Sequence, residues 1–110
     1  MTRDTEKAFV ILYSEYLRRR SFGTAKNQAV RFEDAKLRAI DAFSSWASED
    51  IHYSLQELKK NGYISMNIFG DVEILKDGIQ YMEDKPNEYF NAFANVIKDL
   101  FSIITAIRPG

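Results

Sequence analysis

The residues that could carry chemistry in this chain are few. His52 is its only histidine and cysteine is absent, so the sequence lacks the ligands for a transition-metal site and the thiol for catalysis or a disulfide. Glu49 and Asp50 are neighbours on a predicted helix, where adjacent side chains point apart, and no nucleophile accompanies them. No glycine-rich phosphate-binding motif is present. The sequence therefore predicts no catalytic residue, no metal site and no cofactor, and the protein is not expected to be an enzyme.

Positive charge is concentrated in the first half of the chain. The net charge is only −1, which argues against indiscriminate binding to nucleic acid. Residues 1–47, however, hold nine Lys and Arg against six Asp and Glu, whereas residues 48–110 hold six against ten. Most of the excess comes from Arg18, Arg19, Arg20, Lys26 and Arg31. This basic cluster is a candidate for phosphate binding, and the alternative is a solvated helix end.

Length and composition predict one cytoplasmic domain. A chain of 110 residues can bury a single core, so residues 1–110 are expected to form one domain. The first residues are charged, which is unlike a signal peptide, and no apolar run reaches the ~20 residues of a membrane span. The fold class expected is α+β and mainly α.

The first half predicts three helices and a short strand. A first helix over 4–20 can be capped by Asp4 or Thr2, carries a wide apolar stripe, and has Gly23 as its stop signal. A strand at Ala29–Phe32 and a second helix over 33–43 follow. The third helix is predicted to begin at a Ser48 cap, to bury Ile51, Leu55 and Leu58, and to end at Asn61-Gly62.

A hairpin and a capped helix are predicted next. Residues 63–68 and 72–75 alternate as short strands on either side of the turn at 69–71. Asp77 is expected to cap the following helix, which Asp84-Lys85-Pro86 ends because proline cannot continue it.

The last segment predicts a long amphipathic helix over about 87–107. Its apolar residues are spaced 3, 4, 3, 4, 3, as in the seam of a coiled coil. A stripe this broad can cover more than one neighbour, so it predicts a two-fold homodimer. The expected interface residues are Phe90, Phe93, Ile97, Leu100, Phe101, Ile104 and Ile107. The alternatives are a helix buried wholly by its own chain and, less compatible with its polar face, a helix lying on a membrane surface.

Two stretches carry a family resemblance: Ile51-x3-Leu55-x2-Leu58-x3-Gly62-Tyr63-Ile64 and the later Leu75-x2-Gly78-x2-Tyr81-Met82-Glu83. They resemble the winged helix-turn-helix transcription regulators. The layout is similar to that of the small bacterial YjcQ-like proteins and of PadR-like regulators, which dimerise through a C-terminal helix. The close part of the resemblance covers about 35 residues. The segment after the hairpin is one residue shorter than the family pattern and lacks its threonine. The hairpin would be the wing of the fold.

The resemblance implies a DNA-binding surface. In these regulators the third helix enters the major groove, and its exposed residues contact base edges. Carried over by position, the DNA-facing set on that helix is Ser48, His52, Tyr53, Gln56, Lys59 and Lys60. The basic cluster would supply backbone contacts if it lies on the same face. The function implied is a small homodimeric regulator that binds double-stranded DNA.

Acidic residues favour an alternative in which the same fold contacts a protein. Glu49 and Asp50 lie in the first turn of the third helix, where they would meet phosphate repulsion. The turn at 69–71 has no Lys or Arg to grip DNA. For His52, a plain surface position beside the helix start is favoured over a contact with a base. A winged helix that serves as a protein-interaction module therefore remains the second hypothesis.

Overall fold

The structure is a computed structural model that describes residues 1–97 and 103–104. It is mainly helical with one small antiparallel sheet, which confirms the predicted α+β, mainly α class. The elements in chain order are α1 (Arg3–Ser21), α2 (Lys26–Ala29), β1 (Arg31–Phe32), α3 (Asp34–Arg38), a 3₁₀ turn (Asp41–Phe43), α4 (Ser48–Lys60), β2 (Ile64–Met66), β3 (Val72–Ile74), α5 (Lys76–Glu83) and α6 (Asn87–Asn91).

Helix α1 is the centre of the core, as its apolar sequence predicts. Every residue from Ala8 to Ser14 is buried, so neighbours surround its middle on all sides. The hydroxyl of Thr2 caps its start by accepting the N–H of Thr5. At its end Gly23 adopts a positive φ of 92°, and the N–H of Thr24 donates back into the last turn.

The sheet has the strand order β1-β3-β2. The hairpin of β2 and β3 pairs Ile64 with Ile74, which confirms the predicted hairpin, and β3 also pairs with β1. One sheet face carries buried apolar side chains into the core. The other face carries Ser65, Glu73 and Arg31 side by side, because these three residues are in register across the strands.

The second predicted helix, over 33–43, is wrong in its length. Helix α3 ends at Arg38, and Ile40 takes an extended conformation before the 3₁₀ turn. Leu37, on α3, and Phe43, in the 3₁₀ turn, are both buried, so the core is reached from both sides of this break. Helix α2 was not predicted, and it shortens the predicted strand at Ala29–Phe32 to its last two residues.

Two predicted helix caps are also wrong. Ala47 occupies the cap position of α4, and Ser48 is the first helical residue. Leu75 occupies the cap position of α5, so Asp77 lies inside its first turn. Glu49 and Asp50 still lie in the first turn of α4, and Asp77 in that of α5, where the helix dipole favours negative charge. The sequence therefore predicted the positions of the two helices, whereas their first residues differ by one or two positions.

The predicted continuous helix over 87–107 differs most from the structure. Helix α6 ends at Asn91, and turns follow through Val96. The break predicted at Asp84-Lys85-Pro86 is confirmed, since α5 ends at Glu83 and α6 begins after Pro86. The remainder of the predicted helix lies largely outside the described residues.

Candidate nucleic-acid interface

Helix α4 has one buried face and one exposed face. Ile51, Leu55 and Leu58 are buried, as predicted, and α1 is the main neighbour of this face. The opposite face is solvent-exposed along the whole helix. The predicted residues found exposed on α4 are Ser48, His52, Tyr53, Gln56, Lys59 and Lys60.

The exposed side chains of α4 share a common direction. At 100° per residue, the five from His52 to Lys60 fall within an arc of about 120°. The side chains of His52 and Gln56 touch, with Nε2 to Nε2 at 3.4 Å. Tyr53 has 59% of its surface exposed. Glu49 points into the same arc, so this surface is acidic at its start and basic at its end, where Lys59 and Lys60 lie.

Glu57 is on α4 but belongs to the attachment of that helix to α1. Its Oε1 accepts the backbone N–H of Thr2 at 3.0 Å. Hydrogen bonds from Thr5 and Thr2 hold the pKa of the Glu57 carboxyl below its ordinary value. This acidic residue is therefore anchored at the edge of the exposed surface.

Arg38 is a residue that the sequence analysis missed. Its Nε donates to Asp34 Oδ1 at 3.0 Å, and its Nη1 donates to Ser48 Oγ at 2.9 Å. Helix α3 is in this way tied to the first residue of α4. The spacing of Asp34 and Arg38, four residues apart on a predicted helix, was the available signal for the first of these contacts.

The basic cluster has structural roles at three of its positions. The Nη1 of Arg19 donates to the carbonyl of Arg31 at 2.6 Å, and its guanidinium lies 4.3 Å from the centre of the Phe32 ring. Arg20 donates to the carbonyl of Thr24 at 3.0 Å. Arg31 pairs with Glu73 across the sheet at 3.5 Å. Arg19 and Arg20 therefore hold the end of α1 to the loop and strand that follow it, and Arg31 joins β1 to β3.

The remaining basic residues do not join α4 in one described groove. Arg18 is exposed and lies 3.9 Å from Glu15, and Lys26 is exposed on α2. The grooves lined by Arg18, Arg19 and Arg31 are shared with α3, the sheet and the segment around 95–97; among the described residues no α4 side chain lines them. The structure thus brings the six α4 residues onto one exposed side of that helix, and neither groove joins the basic cluster to them.

The hairpin turn is rigid and has no cation. Asn67 Oδ1 accepts the N–H groups of Phe69 and Asp71, and Gly70 has a φ of 87°. Asp71 Oδ1 accepts the N–H of Asp34, so the turn is fixed to the start of α3. This hydrogen bond, followed by one from Asn67, lowers the pKa of the Asp71 carboxyl.

The predicted dimer interface lies partly in the core of the single chain. Phe90, Phe93, Ile97 and Ile104 are buried, so they do not offer an exposed apolar stripe. Phe90 stacks on Tyr13 of α1 with ring centres 6.0 Å apart. Leu100, Phe101 and Ile107 lie outside the described residues.

Over residues 1–97 and 103–104, no group of three or more His, Cys, Asp or Glu is placed to hold a metal ion. In the same part of the chain, no helix has the length and apolar character required to cross a membrane. Comparison with known proteins adds no relative. Neither a family model nor a curated protein nor a solved structure matches this chain.

Proposed function

We propose that the chain is a winged-helix protein whose α4 binds the major groove of duplex DNA. The order of elements supports this assignment. With the short α2 and the 3₁₀ turn as additions, the order is helix α1, strand β1, helix α3, helix α4 and the β2–β3 hairpin, as in the regulators that the sequence resembles. The sheet order β1-β3-β2 places the first strand beside the hairpin, so that the hairpin corresponds to the wing.

The observation that carries the proposal is the exposed face of α4. The helix has 13 residues, is roughly 20 Å long, and is held at one side only. Its free side presents Gln56, which can pair bidentately with adenine, and Lys59 and Lys60, which can reach guanine or phosphate. Tyr53 adds an exposed aromatic side chain beside them. A rod of this width and polarity fits the major groove.

Salt dependence tests this proposal. Binding of the protein to a fluorescently labelled random duplex is measured by anisotropy at about 50 mM and about 200 mM salt. If the protein neutralises even a few phosphates, the higher salt concentration should weaken the affinity by roughly tenfold or more. Binding that does not change with salt, or no binding at the lower salt, contradicts the proposal.

A second candidate function is a protein-interaction module with the same fold. It is favoured by the acidic start of the α4 face, where Glu49 and Asp50 are exposed, and by a wing whose turn carries no Lys or Arg. The structural use of Arg19 and Arg31 also reduces the positive charge available for phosphates. The absence of salt-dependent DNA binding in the anisotropy experiment would favour this function.

A further inference from the structure

His52 is the one histidine of the chain, and its side chain is exposed on the α4 face. Histidine is the side chain that ordinarily changes its charge between about pH 5 and pH 8. Cysteine, whose thiol can titrate in the same range when its surroundings perturb it, is absent. Apart from the α-amino group, a single side chain therefore controls how the charge of this protein changes near neutral pH.

The exposed charges of α4 cancel when His52 is neutral. Glu49 and Asp50 at the start of the helix carry two negative charges, and Lys59 and Lys60 at its end carry two positive charges. A proton on His52 makes this side of the helix positive, and it adds the charge between the two carboxylates and the two lysines. Because duplex DNA presents one phosphate charge about every 1.7 Å along its axis, this added charge favours the bound state.

The ring of His52 also contacts Gln56, the residue proposed to pair with adenine. Nε2 of the ring lies 3.4 Å from Nε2 of the amide. An amide nitrogen donates and does not accept, so this contact requires a neutral ring whose Nε2 is the acceptor. A protonated ring donates from both nitrogens, so protonation frees the amide N–H of Gln56 to donate to adenine N7. The added charge and the freed amide both favour tighter binding.

The groups around His52 leave its ring accessible. In the described part of the chain, the charged groups that interact with α4 from outside it are Arg38 and the α-amino group. Arg38 of α3 donates to Ser48 at 2.9 Å and is itself paired with Asp34, and the α-amino group acts on the carboxylate of Glu57. Among the described residues, no hydrogen bond or ion pair joins either group to the ring, and α1 and β2, which pack against α4, contribute none.

We propose that the protein binds duplex DNA together with a proton taken up by His52, so that its affinity for DNA rises as the pH falls from about 8 to about 5.5. The proposal rests on DNA binding by α4 and adds the regulation of that surface by pH. Its sign follows from linkage: phosphates near the ring stabilise the protonated form, so the bound protein holds the proton up to a higher pH than the free protein does. The acidic start of α4 then opposes binding mainly at the higher pH, where the charge of His52 is lost.

The proposal is tested by anisotropy titrations with a labelled random duplex at pH 5.5 and at pH 8, each over a range of salt concentrations. The wild-type protein should bind about threefold or more tightly at pH 5.5, with a log–log salt slope steeper by about 0.9, because one further phosphate is neutralised. His52→Gln should show the same affinity at both pH values. His52→Lys, which is charged at both, should also be independent of pH, with the steeper slope throughout.

A histidine placed elsewhere is the matched control. His52→Gln/Gln80→His carries its only imidazole on the exposed side of α5, and its affinity for DNA should be as independent of pH as that of His52→Gln. The proposal is overturned by salt-dependent binding of the wild-type protein that is equal at the two pH values, which leaves DNA binding by α4 intact. A pH dependence that persists in His52→Gln, or that returns with Gln80→His, overturns it as well. No binding at either pH contradicts the DNA-binding function itself and this proposal with it.

Discussion

The carboxylate of Asp71, at the end of the hairpin turn, accepts the backbone N–H of Asp34, the first residue of α3, at 3.0 Å. The contact is tight, because a Cβ added at Gly70 would lie 2.8 Å from Asp34 Oδ1. Asp34 in turn binds Arg38, and Arg38 binds Ser48 at the start of α4. A continuous chain of hydrogen bonds therefore sets the position of the hairpin relative to the helix proposed to bind DNA.

The first prediction concerns the pH dependence of the Asp71 contact. The pKa of Asp71 is lowered in the folded state. The ionised carboxylate therefore stabilises the fold fully at a pH above the ordinary pKa of an aspartate, and this contribution is lost as the pH falls through the lowered pKa. Asp71→Asn lacks the charged acceptor and should melt at a lower temperature near neutral pH. The difference in melting temperature from wild type should shrink below about pH 4. A difference that stays constant down to acid pH would show that charge at this position is irrelevant.

The second prediction separates the structural arginine from its neighbour. Arg19→Ala removes a hydrogen bond to the carbonyl of Arg31 and the stacking on Phe32, and should lower the free energy of unfolding by about 1–2 kcal/mol. Arg18→Ala removes the exposed ion pair of Arg18 with Glu15, at 3.9 Å, and should change the free energy of unfolding by less than about 0.5 kcal/mol. Chemical denaturation of both variants measures the difference. Equal stabilities would mean that Arg19 has no such structural role.

Local patterns predicted the elements that depend on their own sequence. The apolar stripe and terminal residues of α1 specify a helix whatever surrounds it, and Gly23 ends it by adopting a positive φ. The hairpin follows from alternation on either side of Gly70, the residue that allows the turn. These features are properties of a few adjacent residues, which explains why they could be read before the structure was known.

Features that depend on distant contacts could not be predicted in the same way. The break after α3 depends on the position of the core, in which both Leu37 and Phe43 are buried. An apolar stripe does not say what will cover it, and Phe90 is covered by Tyr13 of its own chain. For the site, the exposed face of α4 was predicted correctly, whereas the structural role of Arg19 depends on carbonyl groups ten and twelve residues away.

The third prediction concerns the close contact of Gly78, on α5, with the backbone of Tyr63, the residue before β2. A Cβ at Gly78 would collide with the backbone carbonyl of Tyr63 and lie 3.1 Å from Phe9 Cζ. That carbonyl already accepts the N–H of Leu75 at 2.9 Å, so it has little freedom to move. Gly78→Ala should therefore lower the free energy of unfolding by about 1–3 kcal/mol, despite the better helix propensity of alanine. Gln80→Ala, on the exposed side of the same helix, is the control and should change it by less than about 0.5 kcal/mol. An unaltered Gly78→Ala protein would contradict this packing.

The fourth prediction concerns the tyrosines of the core. Burial raises the pKa of Tyr16, Tyr81 and Tyr89, and the carboxylate of Glu6, which accepts the Tyr81 hydroxyl at 2.9 Å, raises the pKa of Tyr81 further. Because the unfolded chain ionises these groups first, the folded state should lose stability as the pH rises past about 10. Ultraviolet titration should show part of the tyrosine absorbance changing only in step with unfolding. A titration in which all six tyrosines ionise together before the protein unfolds would contradict this prediction.

DNA binding by this protein depends most on the exposed face of α4, and removal of Lys59 and Lys60 from that face tests it most directly. Lys59→Ala/Lys60→Ala is compared with wild type and with Lys76→Ala, an exposed lysine on α5, by duplex anisotropy over a range of salt concentrations. The double variant should bind at least about tenfold more weakly, with a log–log salt slope smaller by roughly 1–2, while Lys76→Ala should match wild type. Equal affinities and equal slopes for the double variant and wild type would contradict DNA binding by α4.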